Sequence, residues 1–136
     1  MFRFFSKGEA LGSWVSKEQI QFIKLMIEDR DFLFWTNDLV KQEWFDVPEM
    51  RDIIRVIRDF YDQGFPISYK ELRNVLEGHY DTSTENREIS WLILSAILDE
   101  MEKSKDMGWK GMFLERLRTY VDMATREAMM NGNYDF

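Results

Sequence analysis

"FDVPEMRDIIRVIRDFYDQGFPIS", residues 45–68, is the stretch whose reading decides the fold. After Pro48, the residues Met50, Ile53, Ile54, Ile57, Phe60 and Tyr61 recur at the spacing of one helix face, with Arg51, Arg55, Arg58 and Asp62 opposite. Asp46 with Glu49 offers an N-terminal cap. Pro48 falls in the first turn, where a missing N–H costs nothing, and Gly64 supplies a left-handed stop. Pro66 and Ile67 fix the turn, and Ser68 with Glu71 forms a capping box for the next helix, striped by Tyr69, Leu72, Val75 and Leu76 and ending at Gly78. Two amphipathic helices joined by so short a turn must fold back on each other.

Upstream, Met1 to Ser13 has no sustained period and reads as a tail; of the two readings for Phe2, Phe4 and Phe5, a short strand or docking on the body of a neighbour, docking is favoured because clustered apolar side chains rarely stay solvated. Ser16 as cap, Gln19 three residues on, and Val15 with Ile20 as a hydrophobic staple predict a helix over residues 17–28. A second, short helix is expected over 31–39, then an irregular piece through Trp44 and Phe45. Downstream, the polar run "HYDTSTENRE" reads as a linker.

The helix that follows is apolar on two sides. Ile89, Leu92, Ile93, Ala96 and Ile97 make one stripe, and Trp91, Leu94, Leu98 and Met101 a second one roughly opposite. A last helix carries Phe113, Leu117, Tyr120, Val121, Ala124 and Ala128 in register, and the two long helices are expected to pair as an antiparallel hairpin. The fold class is therefore all-α: a tail over 1–15, a small globular helical head over 16–80, and a linker with a helical hairpin over 81–136. The stripe of Trp91, Leu94, Leu98 and Met101 has two open explanations, burial against the N-terminal half of the same chain or contact with another subunit.

Composition narrows the function. The 18 basic and 25 acidic residues give a net charge of −7, which disfavours autonomous binding to a phosphate backbone. No cysteine is present, so thiolate metal sites, thiol nucleophiles and disulfides drop out. Apolar runs fall well short of the roughly 18 residues that span a bilayer, and the N-terminus lacks a long signal-peptide core, so a cytoplasmic protein is expected.

No chemistry-bearing constellation appears. His79 is the only histidine and stands at a helix end, so a solvated turn residue explains it. The carboxylates, among them Asp29, Asp31, Glu85, Glu88, Asp99, Glu100 and Glu102, read as solvated helix faces, since the Glu-x-x-His pairs of di-iron bundles are missing. Neither a P-loop nor a Gly-x-Ser-x-Gly elbow occurs. No cofactor, metal or catalytic residue is expected. Arg51, Arg55 and Arg58 on one helix face, with Lys103, Lys105 and Lys110 in a turn, are candidates for nucleic-acid contact, diluted by neighbouring acids such as Asp52 and Asp59.

The order of elements from "KEQIQFIKLMIEDRD" through "EWFDVPEMRDIIRVIRDFY" to the "QGFPISYKEL" turn resembles the N-terminal domain of DnaB-type replicative helicases, those of bacteriophages in particular. The likeness runs over residues 17–132, and its sharpest element is the Gly-x-Pro-Ile turn between two amphipathic helices. It implies a non-catalytic scaffold that assembles as a homo-oligomer and docks primase or a helicase loader. The ATP-dependent motor of the family has no counterpart in this chain. Trp91, Leu94, Leu98 and Met101 become the expected subunit contact. Tyr134 and Phe136 find no obvious partners, which suggests a fragment of a longer polypeptide. A free-standing phage loader or inhibitor, or a small single-stranded-DNA-binding helical domain, are the rival readings.

Overall fold

The computed structural model describes residues 14–80 and 85–131. The expected tail up to Ser13, with Phe2, Phe4 and Phe5, residues 81–84 of the expected linker, and Tyr134 and Phe136 lie outside the described residues. Helix α1 (Ser16–Glu28) starts one residue earlier than its sequence suggests, because the Glu18 carboxylate accepts the Val15 backbone N–H at 3.1 Å and leaves Ser16 inside the helix. Gln19, freed from capping, is fully buried. Its amide donates to the Trp14 carbonyl and to Asp46 Oδ2, at 3.2 and 2.8 Å, and accepts the Asp46 N–H at 3.1 Å.

Asp29 joins α1 to α2 (Arg30–Thr36) with a single residue. Its N–H donates to the Leu25 carbonyl while its carboxylate accepts the Phe32 N–H at 3.0 Å, so one residue closes one helix and opens the next. The second helix is thus earlier and shorter than expected. A 3-10 turn (Gln42–Trp44) leads to α3 (Pro48–Asp62), whose N-cap is Val47 and whose first residue is Pro48. Asp46 does not cap α3, being held by Gln19.

Sequence and structure agree most closely at the end of α3. Gly64 adopts φ +86°, its N–H bonds the Tyr61 carbonyl, and the Phe65 N–H bonds the Phe60 carbonyl, both at 2.9 Å, which is a Schellman stop. Ser68 Oγ accepts the Glu71 N–H and Glu71 Oε1 accepts the Ser68 N–H, each at 3.2 Å, opening α4 (Tyr69–His79). Gly78 does not stop that helix; it lies within the last turn, and the chain leaves through an extended Tyr80.

Helices α5 (Glu85–Lys103) and α6 (Lys110–Met130) are joined by a turn at Gly108, φ +75°. They do not form the expected self-contained hairpin. The principal neighbours of α5 are α1, α3 and α4, and those of α6 are α2 and α1. Leu94, Leu98 and Met101 from α5 and Phe113 and Leu117 from α6 join one hydrophobic core with Phe22, Ile23 and Met26 of α1 and Ile53, Ile54 and Ile57 of α3. Arg73 fastens α4 to α5 through Asp99 and Glu102, at 2.9 and 2.7 Å. Gln21 secures the turn into α6, donating to Ser104 Oγ and the Lys105 carbonyl and accepting the Met107 N–H. Among the described residues no strand occurs, and no helix is long and apolar enough to cross a membrane.

The two stripes of α5 therefore divide unequally, Leu98 being fully buried and Leu92 61% exposed. Leu98→Ala is expected to cost about 2–5 kcal/mol of stability through transfer and cavity effects. Leu92→Ala should stay within about 0.5 kcal/mol. Urea unfolding followed by circular dichroism measures both, and equal costs would show that this division of α5 is wrong.

Candidate interaction surface

Four consecutive large apolar residues, Phe32, Leu33, Phe34 and Trp35, occupy the seven-residue helix α2. At about 100° per residue they cover most of the helix circumference, so no single neighbouring face can bury them all. Phe32 and Leu33 point into the core with Thr36, while Phe34 and Trp35 face outward at 60% and 61% exposure. Their rings meet edge to face with centroids 5.2 Å apart, forming a ridge.

A groove of about 410 Å³ flanks each side of this ridge. One is lined by Arg30, Leu33, Phe34, Tyr61, Phe65 and Pro66, and reuses the Gly64–Pro66 turn that ends α3. Phe65, on its rim, is 60% exposed. The other lies between Trp35 and Leu39 on one side and Leu114, Leu117, Arg118 and Val121 of α6 on the other. The sequence signal for this surface is the "FLFW" run itself, too apolar for so short a helix to bury whole.

The base beneath the ridge is electrostatically fixed. Lys110 Nζ lies 2.9 Å from Asp29 Oδ2, joining the start of α6 to the α1–α2 junction. The hydrogen bond from Lys110, with that from the Phe32 N–H, holds the Asp29 carboxyl below its ordinary pKa, and Asp29 in turn raises that of Lys110.

The residues singled out from sequence fall elsewhere. Leu94, Leu98 and Met101 have no exposed surface, and Trp91 is half-buried with its ring 6.0 Å from that of Tyr80. The expected subunit contact at Trp91, Leu94, Leu98 and Met101 is corrected accordingly, because that stripe packs inside its own chain. On the outer stripe of α5, Ile89, Leu92 and Ile93 remain exposed. Nor do Arg51, Arg55 and Arg58 make a free cationic face. Arg51 Nε donates to the Phe45 carbonyl at 2.8 Å, an Arg58 guanidinium N–H donates to the Val40 carbonyl at 3.0 Å, and Arg55 pairs with Asp52 at 3.2 Å. His79 is exposed at the end of α4, and among the described residues no cluster of three His, Cys, Asp or Glu is placed to hold a metal ion.

No family model, no curated protein and no solved structure matches this chain.

Because the carboxyl of Asp29 is depressed in the folded state, its contribution is present above the ordinary carboxylate pKa and is lost as pH falls through the folded value. Asp29→Asn is expected to lower stability at pH 7 and to leave a shallower loss of stability below about pH 4 than in the parent chain. Thermal melts at stepped pH read this directly; parallel acid limbs would show that the Asp29 carboxyl is not held this way. Trp35→Ala, by contrast, should change stability by less than about 1 kcal/mol, because its ring is largely in water.

Proposed function

We propose that this chain is a non-catalytic interaction domain that acts by docking other proteins on apolar surface rather than by making or breaking a bond. The observation that carries the reading is the group of Phe34, Trp35 and Phe65, each at least 60% exposed, in a chain that buries Trp14, Phe22, Phe32, Phe45 and Phe113. Contiguous exposed rings are uncommon on monomeric proteins and mark surfaces that bind a partner.

The resemblance to the N-terminal domain of DnaB-type replicative helicases gives this reading its finer form. In it the domain is a scaffold in the cytoplasm that assembles with its own copies and docks primase or a loader, while ATP hydrolysis belongs to a separate motor. With Leu94, Leu98 and Met101 inside the chain, contact between copies falls in this reading to the outer stripe of α5, Ile89, Leu92 and Ile93. The reading as a single-stranded-DNA-binding domain is the weaker one, since Arg51 and Arg58 are anchored to backbone carbonyls.

Light scattering across a concentration series tests the assembly. The parent chain is expected to rise in molar mass with concentration, and Leu92→Glu to hold the mass of a single chain while keeping its helical spectrum. A parent chain that stays single at the highest concentration contradicts self-assembly by this domain.

A further inference from the structure

Helix α6 outruns the body it packs against. Phe113 and Leu117 are buried, yet from Val121 to Met130 every residue is exposed except the half-buried Ala128, and Val121, Met123, Met129 and Met130 hold apolar surface in water. A helical stretch draws most of its stability from a packed face, so this one calls for a cover. Leu114, Leu117, Val121, Ala124 and Ala128 recur along α6 at alternating spacings of three and four, which sets them within about 80° of one another around the helix. Their size falls along the stripe, from leucine through valine to alanine. The leucine half, with Trp35 and Leu39, lines one of the grooves beside the ridge, and the alanine half lies on the outrunning end.

We propose that this stripe pairs with the same stripe of a second copy, the two α6 helices running antiparallel about a two-fold axis beside Val121. Two matches, of volume and of charge, select a second copy as the occupant. Reversal about Val121 sets Leu114 opposite the partner's Ala128 and Leu117 opposite the partner's Ala124, so each large side chain meets a small one and each free end covers the other copy's groove. A parallel pair would set leucine on leucine at one end and alanine on alanine at the other. As for charge, two chains of net charge −7 repel overall, but the stretch from Leu114 to Asn131 is balanced, with three arginines and three carboxylates. Glu115, Arg118, Asp122 and Arg126 alternate in sign along one flank of the stripe. The same reversal brings Glu115 beside the partner's Arg126 and Arg118 beside the partner's Asp122. The seam is shorter than a free-standing coiled coil needs. It therefore rests on the self-assembly reading above, acting between copies that the outer stripe of α5 already brings together, at high effective concentration.

Thiol cross-linking with a short bis-maleimide tests this on the full chain, which has no cysteine of its own, so each introduced thiol is unique. Val121→Cys is expected to link to itself. Leu114→Cys alone and Ala128→Cys alone should not, because antiparallel pairing holds each about 21 Å from its own copy. A mixture of the Leu114→Cys and Ala128→Cys chains should link. Adding Ala124→Glu to Val121→Cys should cut the linked fraction by about tenfold, since it sets a carboxylate against the partner's Leu117. Circular dichroism of each variant verifies that it folds. Equal linking at all three positions overturns the antiparallel register. A parent chain whose mass rises with concentration while Val121→Cys stays unlinked overturns the α6 pairing and leaves self-assembly intact. A parent chain that stays single, with Val121→Cys unlinked, overturns both.

Discussion

Everything else in this molecule is arranged around the burial of Phe22. Its ring, with no exposed surface, meets Phe32 at 5.0 Å, Phe113 at 5.2 Å, Trp14 at 5.4 Å and Phe45 at 6.0 Å between centroids, mostly edge to face. These partners come from α2, from α6, and from the segments before α1 and α3, so one side chain fixes four parts of the chain. Edge-to-face aromatic pairs contribute roughly 0.5–1.5 kcal/mol each beyond the area they bury. The consequence is that α1 is a central helix, covered on nearly all sides.

A central helix must satisfy whatever polar groups it carries. Gln19, Gln21 and Lys24 are all buried on α1, and each is turned into a fastening. Gln19 holds the approach to α3, Gln21 holds the turn between α5 and α6, and Lys24 donates to Glu28 and to the Met101 carbonyl of α5, at 2.6 and 3.1 Å. Burying a polar group without a partner costs several kcal/mol by some measures, so these bonds are conditions for the packing rather than additions to it. They also explain why α5 lies across the body instead of standing out as half of a hairpin.

The α3–turn–α4 unit was legible because its signals are local: Gly64, Pro48 and the Ser68–Glu71 box act within a few residues of themselves. The choice between the two faces of α5 was not. Leu92 and Leu98 are the same residue type on different sides of one helix, and which side turns inward is set by partners distant in sequence: the core that receives Leu94, Leu98 and Met101, with the contacts of Lys24 to Met101 and of Arg73 to Asp99 and Glu102. Gln19 and Gln21 were equally opaque, since a glutamine is expected in water until a distant backbone group appears to meet it. The outward rings of α2 lay in plain view in "FLFW", although which two would face water depends on where α1 and α6 pass. The exposed ridge and this part of the core are thus two outcomes of one excess of apolar residues.

The most direct measurement is hydroxyl-radical footprinting of the folded chain with mass-spectrometric readout of each methionine and aromatic residue. Fast labelling is expected at Phe34, Trp35, Phe65, Met129 and Met130, with protection of Phe22, Phe113, Met26 and Met101 until the chain unfolds. Met101 and Phe113 labelling as fast as Met130 would mean that α5 and α6 do not pack on α1, and that Phe22 is not the centre of the core.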